Sequence, residues 1–478
     1  MRAPTYPPGI QDMKLKITNT LMRKKQVFHT IDPLNVRVYV CGPTVYDYAH
    51  VGNARPAVVF DVLVRLLRHI YGEAHVTYVT NITDVDDKII NRSKELGITM
   101  EVLTREITNI YKADMDAIGV NKPNVQPRAT EHIGAMIALT QRLINLRHAY
   151  ITNNHVLFNV HSAANYGQLS RRYEQEFIAE SRIDLVSFKR NPSDFVLWKP
   201  TANDQQGWDS PWGHGRPGWH IECSAMAANN LGEIFDIHGG GIDLIFPHHE
   251  NEIAQSSCAF GHGTMANYWM HNGFVTVEGE VMSKSLRNFY TVHDLLSRWP
   301  GEAIRLLLLS AHYRQPLNFS KFGLYKAKIQ LDKLYGAINR AQESGYTPQS
   351  SLVQDNNLVF SALCDDLNTP LALTALHQIA RKLNIALTNK FCTWEISNLM
   401  YKLLNWGKLL GLLQSDVKVW FKGEYGKEDT EIEALIAARG AARKAHNFKE
   451  ADKIRDKFKA RGIKLEDGIG NTTWKKMK

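Results

Sequence analysis

No window of this 478-residue sequence reaches the roughly 18 uninterrupted apolar residues that a membrane-spanning helix requires. The stretch from Met1 to Asp12 is rich in proline and lacks the apolar centre of a secretory signal, so the cytoplasm is the expected compartment and no membrane partner is expected. Cysteine is scarce. Cys41, Cys223, Cys258, Cys364 and Cys392 are the only five, an odd number spread thinly, which argues against a disulfide framework and leaves metal binding or simple burial. Internal repeats and low-complexity tracts are also missing beyond the proline-bearing start. Apolar residues at 44% and charged residues at 22% are ordinary for a globular chain, and the length exceeds what one core organises.

Net charge is +9, and it is unevenly placed: Glu431 to Lys478 holds 13 Lys/Arg against 7 Asp/Glu, or +6. Such a patch suits a polyanion such as RNA, because phosphate contacts release counterions, although a solvated helix surface would show the same excess.

Val36-Arg37-Val38-Tyr39-Val40 alternates as a strand, a loop is predicted from Cys41 to Arg55, and Pro56 to Tyr71 has helical apolar spacing with Gly72 as its stop. His75 to Thr80 reads as a second strand. That βαβ unit implies parallel strands through a right-handed crossover. A helix follows from about Met100 to Met115, and 123–205 reads as an insertion of helix and loops. A second α/β portion contains a strand at Ile234 to His238, a tight turn at Gly239-Gly240-Gly241 and a helix from His248. Beyond Gly301 the periodicity is helical, and a small basic unit closes the chain.

Two segments carry phosphate chemistry. His50, followed by the small Gly52 and by Asn53 ahead of a helix, can bring an imidazole and backbone N–H groups to a phosphate chain with the helix dipole assisting; by itself such a triplet is more often a capping histidine. Met282-Ser283-Lys284-Ser285 lies in a polar segment after a strand predicted at Gly273 to Val277, where lysine can neutralise charge as pyrophosphate leaves. A third group is less definite. His248 and Glu252 stand four apart and face one way, while Cys41 and Cys223 each fall beside a polar loop, yet lone cysteines are more often small core residues. The string His249-Glu250-Asn251-Glu252-Ile253 is no zinc-protease motif, since Ile253 occupies the place of the second histidine.

The two phosphate segments, in this order across an α/β core, resemble the HIGH and KMSKS signatures of class I aminoacyl-tRNA synthetases. The strings running from Tyr39 to Asp47, from Asn81 to Lys88, from Gly218 to Met226, from Phe235 to Gly241 and from Phe246 to Gln255 resemble the cysteinyl-tRNA synthetase family, from about Lys14 to Trp474. Two positions depart from that pattern: Asn53 stands where histidine is usual and Val281 where lysine is usual, which shifts the catalytic load onto His50 and Lys284.

The resemblance implies a Rossmann-type parallel-sheet catalytic domain with an insertion, followed by a helical bundle and a small basic C-terminal domain. Its implied boundaries are an extension at 1–12, catalytic halves at 13–122 and 206–300 around the insertion 123–205, a stem-contact region at 301–345, a helical tRNA-binding bundle at 346–422 and a basic anticodon-binding domain at 430–478. It implies Cys41, Cys223, His248 and Glu252 as ligands of one Zn²⁺; Thr83, Trp219 and His238 around the amino acid; and Thr44, His50, Gly52, Asn53, Gly241, Asp243 and Met282 to Ser285 around ATP with Mg²⁺. His50 and Lys284 are the implied catalytic pair. Zinc suits the choice of cysteine over serine, because an apolar pocket rejects such an isostere only about 10²-fold, whereas Zn²⁺ bonds a thiolate at about 2.3 Å. Four protein ligands ordinarily mark a closed structural site, so cysteine binding needs a fifth position or a loosened ligand, for which Glu252 is the expected choice.

The implied substrates are L-cysteine, ATP and the cysteine tRNA, with a monomer as the working state. Two rivals stay open in the sequence: a ligase joining cysteine to a small amine, which has no need of the basic carboxyl end, and a non-catalytic zinc- and RNA-binding paralogue.

Overall fold

The computed structural model describes residues 14–172, 188–202, 205–281, 289–350, 358–422, 435–436, 438–443, 445, 447–467 and 472–476. The extension 1–12 and the segment from Met282 to Ser285 lie outside the described residues.

A short antiparallel hairpin, β1 (Lys16–Asn19) and β2 (Lys24–Val27), precedes the main sheet. The main sheet is parallel. Its strands β3 (Val36–Val40), β4 (Val76–Thr80), β9 (Phe235–Gly241) and β10 (Ala266–Asn272) lie in the order β10-β9-β3-β4. Strands buried on both faces need branched and aromatic residues throughout, and Val36, Val38, Tyr39, Val76, Val79, Phe235 and Ile237 supply them.

Between β3 and β4 runs α1 (Val51–Tyr71), five residues longer at its start than the sequence predicts. The reason is its cap. His50 Nδ1 accepts from Gly52 N–H at 3.0 Å, and His50 N–H donates to Asn53 Oδ1 at 3.3 Å, so reciprocal bonds close the first turn before Pro56 is reached.

The glycine triplet is the second difference. Gly239, Gly240 and Gly241 continue β9 instead of turning, Gly239 pairing with Val40 on one side and Met270 on the other. A Cβ on Gly239 would stand 2.3 Å from the Phe60 ring of α1, so glycine is there for close helix–sheet approach.

After β4 come α2 (Asp87–Leu96) and α3 (Met100–Ala117). The insertion is not helix and loop alone: beside α4 (Ile133–Asn145) it forms an antiparallel sheet of β5 (Ala149–Thr152), β6 (His155–Phe158), β7 (Phe195–Pro200) and β8 (Gly215–Pro217), the short strands being too brief for a clear alternating pattern. The helix α5 (Trp219–Leu231) follows β8 directly. The helix placed at His248 starts later: Ile245–His249 holds a kink, with Phe246 extended, ahead of α6 (Glu250–Phe260). Strands β11 (Val275–Val277) and β12 (Glu280–Val281) then lead to α7 (Gly301–Leu309) and β13 (Leu317–Phe319), which pairs parallel with β11.

Two compact units result. The first comprises Met1–Lys328, Leu352–Leu376 and Leu409–Leu412; the second comprises Ile329–Ser351, His377–Lys408 and Leu413–Lys478. In the second, the Tyr335 and Trp420 rings stack at 4.3 Å, and Ile454 and Phe458 of the helix Phe448–Ala460 pack with Ile463 of a terminal antiparallel hairpin, Ile463–Asp467 with Thr472–Lys476. No helix among the described residues is long and apolar enough to cross a membrane.

Candidate active site

The carboxyl ends of β3 and β9 meet the amino terminus of α1 at a cavity of about 760 Å³. Open parallel sheets collect reactive groups at this edge because strand ends and helix N–H groups converge there. Cys41, Thr44, His50, Gly52, Asn53, Trp219, Gly241 and Asp243 are among its lining residues.

Around Cys41 the fold gathers distant residues. Cys41 follows β3, Cys223 lies on α5, His248 stands two residues ahead of α6, and Glu252 sits on α6. One ligand atom from each lies within 4.8 Å of all the others. Cys41 Sγ is 3.8 Å from Cys223 Sγ and 3.6 Å from Glu252 Oε1, and His248 Nε2 is 3.0 Å from Glu252 Oε1.

The charge pattern follows from these contacts. The Cys41 thiol donates to Cys223, which pulls the Cys223 thiol down to about 6 against the effect of burial, while burial pushes the Cys41 thiol well up. Burial opposes charge on His248, but the Glu252 carboxylate outweighs it and holds the imidazole up at about 10. Burial likewise opposes ionisation of Glu252, and His238 and His248 overcome it, keeping the carboxyl well below its ordinary range. A thiolate and a carboxylate are thus stabilised among buried groups, as a divalent soft cation requires.

The donor set also fits such an ion at the level of single atoms. His248 Nδ1 bonds Nδ1 of His220 at 2.9 Å, which leaves Nε2, 3.0 Å from Glu252 Oε1, as the nitrogen that faces the cluster. Two sulfurs, an imidazole and a carboxylate are zinc chemistry.

Sequence reasoning missed a second layer. His249 Nε2 lies 3.3 Å from Cys41 Sγ, its Nδ1 bonds His271 Nε2 at 2.8 Å, and His271 Nδ1 bonds Thr20 Oγ1 at 2.8 Å. Burial drives His271 and His220 down to about 3 and His249 well below its ordinary value, so all three rings are neutral. His249 with Cys41, His238 and Glu252 forms an overlapping ligand group. Adjacent His248-His249 was the one available signal.

Of the three residues predicted around the amino acid, Trp219 is 38% exposed and stacks on His248 at 4.1 Å. Thr83 is buried and its hydroxyl accepts from Asn81 Nδ2 at 3.1 Å. His238 is wholly buried, its Nε2 bonded to Glu252 Oε2 at 2.9 Å.

His50 is both capping residue and cavity wall. Its Nδ1 accepts from Gly52, which puts the ring proton on Nε2, and Phe289 meets the ring edge-on at 4.9 Å.

Residues 27–329 match the family described as tRNA synthetases class I (C) catalytic domain, and residues 359–414 match the DALR domain. The Cysteine--tRNA ligase of Parvibaculum lavamentivorans is 51% identical over 466 residues, spanning 97% of this chain and 98% of that protein. Those of Paramagnetospirillum magneticum and Rhodospirillum rubrum are 53% identical over 470 and 468 residues, each spanning 97% of this chain and 100% of the relative. Among solved structures, methionyl-tRNA synthetase of Mycobacterium tuberculosis with methionyl-adenylate superposes with a TM-score of 0.56 at 14% identity, covering 79% of this chain and 89% of that one. The LeuRS of Agrobacterium radiobacter K84, in its ternary complex, gives 0.58 at 11% identity, covering 82% and 87%. At such identities the fold alone is shared.

Proposed function

The chain belongs to the cysteinyl-tRNA synthetases of class I, and from that premise we propose how its residues divide the work of joining cysteine to tRNA. The enzyme is a cysteine–tRNA ligase that uses ATP. The observation that carries the division is the meeting of two thiols, an imidazole and a carboxylate, one of whose residues, Cys41, shares a cavity wall with a capped helix start.

A Zn²⁺ ion held by Cys41, Cys223, His248 and Glu252 would supply a soft Lewis acid that takes the substrate sulfur as thiolate and discriminates against the less acidic, harder hydroxyl of serine. Glu252 is the ligand we assign to yield when cysteine arrives, because its Oε2 already has His238 as an alternative partner. Trp219 at the cavity wall supplies an indole N–H to the amino-acid carboxylate, and the Thr83 hydroxyl serves the ammonium.

For the nucleotide, the Nε2 proton of His50 donates to the phosphate chain, and the Asn53 amide N–H₂ lies one turn along, its Oδ1 committed to the cap. Thr44 and Gly241 bound the nucleoside, whose hydroxyls the Asp243 carboxylate can accept. Lys284 neutralises the charge that develops as the cysteine carboxylate attacks the α-phosphorus and Mg²⁺-pyrophosphate leaves. Little proton transfer is demanded, so position and electrostatics carry the step. The terminal 2′-OH of tRNA then takes the cysteinyl group from the adenylate and AMP departs.

Residues after Gly301 and the +6 segment Glu431 to Lys478 serve the tRNA backbone. A monomer in the cytoplasm is the working state this reading assigns.

The test is ATP–pyrophosphate exchange with cysteine and with serine on zinc-loaded and chelator-stripped protein, followed by charging of total tRNA. Equal discrimination with and without metal would sink the zinc assignment; exchange without charging would return the small-amine ligase.

A further inference from the structure

We propose that Arg55 is a positioning residue for adenylate formation, fixing where the chain departs toward Lys284 relative to the helix that carries His50. This rests on the assignment of His50 and Lys284 made above.

The stretch 282–288 is flanked on both sides by chain tied to the start of α1, and the two ties differ in kind. On the return side the tie is backbone: Val51 N–H donates to the Tyr290 carbonyl at 3.1 Å and Val292 N–H to the Ala49 carbonyl at 2.8 Å. On the departure side a side chain does the work. The Arg55 Nη1 donates to the carbonyls of Gly273 and Phe274, both at 2.8 Å, where β10 passes into β11; Nη2 donates to those of Gln315 at 2.6 Å and His312 at 3.2 Å. Gly273 to Val275 also line the cavity.

Arg55 is wholly buried, and burial lowers it only to about 10, so it is a cation at neutral pH. No carboxylate among the described residues forms an ion pair with it, and four carbonyl dipoles alone offset its desolvation. Buried charge is weak evidence of stabilisation, since apolar residues of similar volume commonly do as well. What an apolar side chain cannot do is join two pairs of carbonyls in one plane, which a rigid guanidinium fork does. The two backbones approach closely enough to need this: a Cβ on Gly273 would stand 2.7 Å from the Gln315 carbonyl oxygen and 2.9 Å from that of Arg314.

The consequence falls on one kinetic constant. When catalysis is mostly placement, a misplacement of about 1 Å costs about 10²-fold in rate, whereas the Arg55 hydrogen bonds reach none of the residues proposed to hold cysteine.

The experiment measures pyrophosphate exchange and zinc content for Arg55→Met and Arg55→Lys in the full-length zinc-loaded protein, each also in a Lys284→Ala background. Arg55→Met is expected to lower kcat about 10²-fold with the KM for cysteine changed by no more than about twofold, and Arg55→Lys to fall between it and the parent. With Lys284 already gone, the same Arg55→Met change should cost less than about threefold, because groups that act as a unit are non-additive. Full multiplication of the two losses, or a raised KM for cysteine with kcat intact, overturns the proposal. If Arg55→Met does not fold, the charge-retaining Arg55→Lys decides by the same cycle, and an unchanged kcat there overturns it. Exchange that survives Lys284→Ala undiminished would instead refute the site assignment and leave Arg55 as a fold residue.

Discussion

At the sulfur end of the site the candidate ligands are buried, except for half-buried Cys41, and come from separate segments after β3, on α5 and around α6; at the phosphate end one helix start supplies His50, Gly52 and Asn53, all half-buried or exposed. The first is a long-range assembly that exists only once the sheet and both helices have packed. The second needs a single turn of helix and a capping histidine. On the proposed assignment, choice of amino acid rests on tertiary structure and handling of phosphate on local structure.

Stripping the zinc breaks the comparison most severely. Cysteine-over-serine preference in pyrophosphate exchange should fall to about 10²-fold or less, the level of a pocket that reads shape alone, while ATP binding by equilibrium dialysis persists. Lys284→Ala and His50→Ala attack the opposite end. Each should lower the exchange kcat by about 10²- to 10³-fold with zinc content and the KM for cysteine retained.

His238→Gln sharpens the boundary between the two ends. Its Nε2 holds Glu252, so zinc affinity measured by chelator competition should weaken about 10- to 100-fold. A raised KM for cysteine at full zinc occupancy would instead put His238 on the substrate.

The smallest effect is expected at Asp87, which ties α2 to the insertion strands through Lys199 at 2.6 Å and through Arg216. Burial favours its neutral form, but the two cations outweigh it and lower its pKa. A depressed folded-state value means stability present above the unfolded carboxyl range and lost as pH falls through it. With Asp87 59% exposed, Asp87→Asn should cost only a few tenths of a kcal/mol in urea unfolding at pH 7, and the gap should close below about pH 4.

Legibility in the sequence follows the same division. The strand Val36–Val40, the helix of α1 and the phosphate segment at His50 are visible because each is written in neighbouring residues. The glycine triplet misleads for the converse reason: three glycines argue for a turn locally, whereas pairing with distant Val40 and Met270 makes them strand and Phe60 explains the glycine at 239. Cys41 and Cys223 are 182 residues apart, so spacing could pair His248 with Glu252 but could not bring in the sulfurs; the resemblance alone did. His249 and His271 went unread because a buried neutral imidazole leaves no pattern that separates it from a core residue.

The indole of Trp219 lies against the His248 ring with 19° between the planes. Indole emission is quenched by a protonated imidazole in contact and far less by a neutral one. Trp219 is thus an indole in direct contact with the centre, and its share of the emission, isolated by comparison with a Trp219→Phe variant, reports the state of the ring beneath it.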